Sequence, residues 1–429
     1  MLGYAGASTA NQRGGDRLPR TWRRSAALGA VVVVLGPLTV WVAAAGAAPS
    51  RPSAQARAVV TSSVPGTLDA VTCTASSSCT AVGSYGSSGD TVTLAEAWNG
   101  SAWTVQPTPN PAGGSNSNLA GVSCGSPSAC LAVGDYYDGR GNGVLAEMWN
   151  GTSWAIESVP LPSGGLGGAL LGVSCTSATA CTAVGDYADS SNTNVALAEV
   201  WNGTDFASET VPTPVDATTS ALAAVSCSAL PSRACEAVGF NYVEGGVVAM
   251  TLAERWNGTS WSAQNTPAPN DSSGGSYPSG VSCSAPKACT SVDEAFNGSG
   301  DLGYGWVQAW NGTTWSNRKT PNPKGATAST LSGVSCSTAP SRTCTAVGYY
   351  IKGSGLLSFA EGWNGTKWSV QRTPEPKGST GGGLDGVSCS SPPGTCTAVG
   401  SVTNRSGVGV TLADGRNGTK WSVQRTPPP

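Results

Sequence analysis

Fourteen cysteines fall into seven pairs: Cys73 with Cys79, Cys124 with Cys130, Cys175 with Cys181, Cys227 with Cys235, Cys283 with Cys289, Cys336 with Cys344 and Cys389 with Cys396. None lies outside them. Five to seven residues separate the two members of each pair. That spacing suits a short hairpin stapled across its neck in an oxidising compartment. Thiolate metal knuckles need C-x2-C or C-x4-C spacing, commonly with histidine, and the chain has no histidine at all. The same absence removes Ser-His-Asp and Cys-His nucleophile chemistry. The expectation is seven structural disulfides and no cofactor.

The second recurring reactive group is the acid of the string L-A-E-x-W, present as Glu96, Glu147, Glu199, Glu254 and Glu361. Gln308 takes its place in the fifth repeat and Asp414 in the seventh. Period-2 alternation puts it on one face with the preceding Leu and the following Trp. A sugar-binding pocket between repeats is one reading. The other is a structural acceptor for a backbone or indole N–H of the next repeat, and Gln308 favours it: an acceptor survives that exchange and general acid–base chemistry does not. No catalytic residue is assigned.

Two variable loops carry clustered oxygens. Asp135 and Asp138 lie in one, Asp186 and Asp189 in the other, as weak calcium candidates whose spacing does not match an EF-hand loop. The fifth repeat reads Ser291-Val292-Asp293-Glu294-Ala295-Phe296 where the others read T-A-V-G or similar, and this carboxylate pair marks a site or a degenerate repeat. Tryptophan pairs such as Trp98 with Trp103 and Trp363 with Trp368 could stack on a sugar; cross-strand packing is the plainer reading. Phe206 replaces the second Trp once and Arg416 the first once.

These groups sit in a sentence written seven times: V-S-C, C-T-A-V-G, a variable loop, L-A-E-x-W-N-G-T-x-W, then T-P-x-P. Successive opening cysteines are 51, 51, 52, 56, 53 and 53 residues apart. Such a period marks units that bury their apolar faces only by stacking. In the second repeat the pattern predicts four strands, Leu119 to Cys124, Cys130 to Tyr136, Val144 to Trp149 and Ser153 to Ser158. Asn-Gly at the last hairpin predicts a type I′ turn, and it recurs at Asn99, Asn150, Asn202, Asn257, Asn311, Asn364 and Asn417. Four antiparallel strands seven times over predict an all-β, seven-bladed β-propeller. Its repeats span about 68–118, 119–169, 170–221, 222–277, 278–330, 331–383 and 384–429.

The segment Asn150-Gly151-Thr152-Ser153-Trp154 and its equivalents resemble the Asp-box of sialidase-type (BNR) propellers, with Asn for the turn Asp in every repeat. Over residues 68–427 the repeat resembles secreted bacterial repeat proteins sharing V-S-C, A-C-T-A-V-G and W-N-G-T-x-W. The resemblance implies the fold and is nearly silent on activity.

Residues 1–47 read as a secretory signal, with Arg13, Arg17, Arg20, Arg23 and Arg24 before an uncharged stretch 26–48 and the small residues Ala45-Gly46-Ala47. An uncleaved membrane anchor is the alternative. A short linker, 48–67, follows. Residues 68–230 hold 13 acids against the single base Arg140, while residues 231–429 hold 11 acids and 15 bases. Nothing is clustered as a nucleic-acid footprint. The expected function is a secreted or cell-surface, monomeric, non-catalytic propeller that binds an extracellular glycan or protein. The alternatives are a glycosidase-like hydrolase, which would need two opposed carboxylates, and a surface-anchored structural repeat protein.

Overall fold

A computed structural model of the chain describes residues 63–228, 233–243, 248–268, 275–296, 303–338, 342–390 and 394–429. The leader, its membrane option and most of the linker lie outside the described residues. Among the described residues no helix is long and apolar enough to cross a membrane. The chain is all-β: every repeat folds into one four-stranded antiparallel sheet with its strands in sequence order. Seven such blades form a propeller.

In blade 2 the strands are Ser115–Ser126, Ala129–Tyr137, Asn142–Trp149 and Trp154–Ile156. The first three outrun the sequence pattern and the outermost is shorter than expected. The first strand of blade 1 is Gly66–Ala75, so the end of the expected linker belongs to the propeller. First strands neighbour one another all the way round, and Ser379–Ser390 of blade 7 meets Gly66–Ala75. They therefore form the inner ring. Among the described residues no strand is exchanged at the seam.

Seven apolar clusters fill the seven gaps between blades. Val82 and Ala95 of blade 1 pack with Leu119, Leu145 and Trp154 of blade 2. Val399 and Ala413 of blade 7 pack with Leu68, Leu94 and Trp103 of blade 1, which closes the ring. The leucine of L-x-G-V-S-C is fully buried in every blade that has it. The next residue is bulged out of register in all seven first strands: Asp69, Ala120, Leu171, Ala223, Ser279, Ser332 and Asp385. Each keeps some solvent exposure on the inner ring. A bulge re-aims a side chain, and here it aims seven of them at the axis.

The disulfides join the residues expected. Cys73 bonds Cys79, Cys124 bonds Cys130, Cys175 bonds Cys181 and Cys227 bonds Cys235. Cys283 bonds Cys289, Cys336 bonds Cys344 and Cys389 bonds Cys396. Each bridge crosses the closing end of a first-to-second-strand hairpin, with Cα atoms 3.9–4.0 Å apart. A loop this small gains about 2 kcal/mol from each bridge in the chain-entropy account. The two ends of each bridge are not equivalent, which the spacing alone does not reveal. Cys79, Cys130, Cys181, Cys235, Cys289, Cys344 and Cys396 are buried and belong to the apolar clusters between blades, whereas the opening cysteines stay half-buried. The staple therefore also supplies core: a disulfide sulfur is an apolar surface that packs like a small hydrophobe.

The type I′ expectation is corrected. Trp149 pairs with Trp154, so four residues form the connection, and only the glycine has positive φ, +95° at Gly151. Asn150 instead accepts through Oδ1 from the N–H groups of Thr152 (2.9 Å) and Ser153 (3.0 Å) and from the Thr152 hydroxyl (2.7 Å). The side chain closes the turn, which relieves Asn of a left-handed backbone. Since one oxygen does this work, Asn serves where an Asp-box has Asp; blade 7 differs, its Asn417 pairing with Lys420 across a two-residue connection.

Candidate functional site

Two polar systems must be separated before a site can be located. The first repeats with the blades. The seven acids or amides of the L-A-E-x-W position lie in the interfaces between blades and are fully or almost fully buried. Gln308 shows what the position does: its Nε2 donates to the carbonyl of Pro267 at 2.7 Å, in the T-P-x-P segment of the preceding blade. Glu147 lies beside the corresponding segment of blade 1, next to Thr93, whose hydroxyl bonds Thr108 at 2.8 Å and the Pro109 carbonyl at 3.2 Å. A carbonyl calls for a donor, which the Gln308 amide supplies, whereas Glu199 accepts from the Ser208 hydroxyl. Burial pushes Glu96, Glu147, Glu254 and Glu361 up to about 8 and Glu199 to about 7, and raises Asp414 well above the usual range. Both carboxyl oxygens of Glu96, Glu147, Glu254 and Asp414 are buried without a hydrogen-bond partner among the described residues.

The indole N–H groups expected to reach these acids go elsewhere. Trp154 donates to Gln106 at 3.0 Å, Trp261 to Glu209 at 2.8 Å, Trp315 to Gln264 at 2.6 Å and Trp421 to Gln371 at 2.9 Å. Trp103 donates to Gln424 at 2.9 Å and so clasps the seam. Each acceptor is the Gln or Glu three residues after the aromatic residue of the preceding blade. That W-x-x-Q recurrence is visible in the sequence. The serine of V-S-C has a parallel use: Ser388 accepts from the Cys73 N–H at 2.9 Å, and Ser123, Ser174, Ser226, Ser282 and Ser335 serve the blades that follow them.

The second system is not repeated. It sits near the axis on the half of the inner strands leading to the variable loops. The residue after the glycine of C-T-A-V-G is Ser84, Asp135, Asp186, Phe240, Glu294, Tyr349 and Ser401 in turn. With the bulge residues at nearly the same level it makes a collar. Tyr349 of blade 6 donates to Glu294 of blade 5 at 3.4 Å. The hydroxyls of Tyr242 (blade 4) and Tyr277 (blade 5) meet at 2.5 Å. Tyr277 also packs edge-on to Phe240 (5.0 Å) and Phe296 (5.6 Å). Burial raises Glu294 to about 7, burial and the charge of Asp69 raise Asp385 to about 7, and burial and the charge of Asp135 raise Asp186 to about 7. Asp186 keeps Oδ1 buried without a partner.

Blade 5 departs furthest. Elsewhere glycine is required opposite the first strand: a Cβ on Gly134 would lie 1.8 Å from the Asn118 carbonyl oxygen. Blade 5 has Asp293 there, facing Pro278 in place of leucine. Asp293 is wholly buried, accepts from Ser291 at 3.0 Å and Ser276 at 3.3 Å, and is raised by burial to about 7.

The four calcium candidates divide. Asp135 and Asp186 are collar residues. Asp138 accepts from the N–H groups of Arg140 (2.7 Å) and Gly141 (2.8 Å), which hold its carboxyl below the usual range. Asp189 accepts from those of Ser191 (2.8 Å) and Thr193 (2.9 Å). Both close their own loops, and among the described residues no group of three or more acidic, cysteine or histidine side chains is placed to hold a metal.

No family model matches the chain, and no curated protein sequence does. Solved structures do match. A PL25 polysaccharide lyase, an ulvan lyase, aligns with TM-score 0.55 at 9% identity over 85% of this chain and 97% of its own. The GH74 xyloglucanase from Xanthomonas campestris gives 0.50 at 10% identity over 86% of this chain and 55% of its own. The SapL1 lectin with bound α-methyl fucoside gives 0.41 at 14% identity over 70% and 93%. At such identities the likeness to the lyase and the xyloglucanase is one of fold.

Proposed function

We propose that this chain is an extracellular, non-catalytic binding propeller that takes a glycan or protein ligand at the collar. The observation that carries the reading is where the repeat symmetry breaks. Between blades the residues recur because each must fill the same interface, whereas the collar changes chemistry from blade to blade and gathers tyrosines and carboxyls, of which Asp69, Tyr242, Tyr277, Glu294 and Asp385 keep some solvent exposure. Uniform architecture with one individualised mouth is how a propeller makes a single site. Seven disulfides favour an oxidising, extracellular compartment. The Asn-Gly connection, closed by its own side chain, supports kinship with Asp-box propellers and with the secreted repeat proteins named above. We read residues 1–47 as the export signal and the secreted form as a monomer.

A glycan array probed with the wild-type chain and with Tyr277→Ala tests the reading. Binding by the wild type, lost in a variant that melts within a few degrees of it, is the expected result. Undiminished binding by the folded variant overturns the collar as the site.

One observation favours a second, hydrolytic reading. Asp69 and Asp385 face each other across the seam, and Asp385 is held near neutrality beside the charge of its neighbour. A carboxyl raised in this way beside a second one is what general acid–base cleavage of a glycoside needs. Reducing-end release from a polysaccharide panel, abolished in Asp385→Asn, would decide for it.

A further inference from the structure

The described inner strands carry charge of nearly one sign. The only charged residues on the seven first strands are Asp69 and Asp385. The seven second strands hold Asp135, Asp186, Glu236, Asp293 and Glu294 against the single base Lys352. Glu236 is paired with Arg255, and Lys352 is the last, exposed residue of its strand. The other bases of the described residues stand on loops and outer strands, and among the described residues neither Glu294 nor Asp385 has an ion pair. Fields in such a concave, low-dielectric mouth are focused.

Aromatic groups complete the chemistry. Tyr277, Tyr242 and Glu294 are partly exposed, and Tyr349 brings its hydroxyl to Glu294. Tyrosine faces beside carboxylates attract an organic cation through the ring quadrupole as well as through charge. An anionic ligand would instead meet like charge at every turn. The buried, unpartnered Oδ1 of Asp186, at the register position of Glu294 two blades away, is a further acceptor on this ring that nothing among the described residues satisfies.

We propose that the collar binds an alkylammonium group, carried by a lysine side chain of a partner protein or by a free polyamine, with Glu294 and Asp385 as its counter-charges and Tyr277 and Tyr349 as its aromatic walls. This rests on the reading of the collar as the binding site. Binding draws protons off the half-buried carboxyls. The groups that face them are Asp69 beside Asp385, Tyr349 between Asp385 and Glu294, and Asp293 and Tyr277 on the blade of Glu294. Affinity therefore rises between about pH 6 and about pH 8, where these carboxyls ionise while an alkylammonium, with pKa about 10.4, stays charged.

Calorimetric titration of the secreted chain at low salt with spermidine and with a capped trilysine peptide separates the two sources. The ε-acetylated trilysine peptide is the uncharged control. The expected result is binding of at least one cationic probe, stronger by about tenfold or more than the acetylated control. Affinity should drop about tenfold in Glu294→Gln and in Asp385→Asn, isosteric changes checked by melting, and more in the pair. Equal binding of the acetylated peptide, or full cation affinity in the folded double variant, overturns the ammonium inference and leaves the collar as a binding site for another ligand. Failure of both cationic probes together with a collar-dependent hit on the glycan array overturns it likewise. No collar-dependent ligand of any kind overturns the reading on which it rests.

Discussion

Blades 2 and 5 are built from the same repeat and use it differently. Blade 2 keeps Leu119 opposite Gly134, places the recurring leucines and alanines in its core, and holds Glu147 against the preceding blade. Blade 5 trades that leucine and glycine for Pro278 and Asp293, has a third strand of only Trp306–Trp310, and uses Gln308 where its siblings use an acid. Its apolar cluster contains no leucine. Blade 5 thus gives up interface packing and gains a buried carboxyl, an aromatic cluster and Glu294 at the mouth. A repeat protein can carry this exchange because its stability is summed over neighbouring interfaces, so one weak blade is held by two strong ones.

Four experiments would break or sharpen that contrast. The largest effect is expected from moving blade 5's feature into blade 2. Gly134→Asp puts a Cβ against the Asn118 carbonyl and should cost more than about 4 kcal/mol, or prevent folding. Asp293→Gly should cost far less. If thermal melts show equal losses, the glycine requirement is not local to the regular blade.

Next come the interface acids. Glu147→Leu removes the polar side chain beside the Thr93 hydroxyl and should cost about 1–3 kcal/mol, whereas Glu147→Gln should be nearly neutral because it imitates Gln308. The pH dependence follows with its sign. These carboxyls bind protons more tightly folded, near 8, than unfolded, near 4.5. Stability is therefore greatest at and below the unfolded value and declines as pH rises through the folded one. Melting temperature should fall steadily between about pH 5 and about pH 9, and each Glu→Gln exchange should flatten the slope. A flat profile in the wild type would refute protonated interface acids.

Smaller is the indole clasp. Trp154→Phe deletes the bond to Gln106 and should cost about 0.5–1.5 kcal/mol. In Trp368→Phe the loss should be less, because the residue at the clasp position of the preceding blade is Arg318, a donor. Equal losses in chemical denaturation would show that packing alone decides. The smallest effect is Asn150→Asp, within about 0.5 kcal/mol, since the same oxygen closes the turn. A larger change in melting would mean that the Asn amide matters.

Local chemistry made much of this legible in the sequence. The cysteine phasing specified hairpin staples because two thiols a few residues apart have few other partners, and the absence of histidine excluded its chemistry outright. It did not show that the second thiol of each pair, Cys130 for example, faces the neighbouring blade, since burial depends on what stacks against the hairpin. Alternation between turn signals specified four strands per repeat. The Asn-Gly dipeptide locates the turn but not its type, because the dipeptide alone does not show that the Asn side chain supplies the hydrogen bonds. At the position of the repeated acid the sequence could not tell acceptor from donor: the partner of Gln308, the Pro267 carbonyl, lies 41 residues away in the preceding blade. The collar was beyond reach for the same reason. Tyr242, Tyr277, Glu294, Tyr349, Asp385 and Asp69 come from blades 4, 5, 6, 7 and 1, and only closure of the ring sets the last beside the first. Sequence determines what each 50-residue unit can form by itself, since strands, turns and staples depend on near neighbours. Tertiary structure decides which groups share an interface or a mouth, because that depends on how seven units stack around one axis.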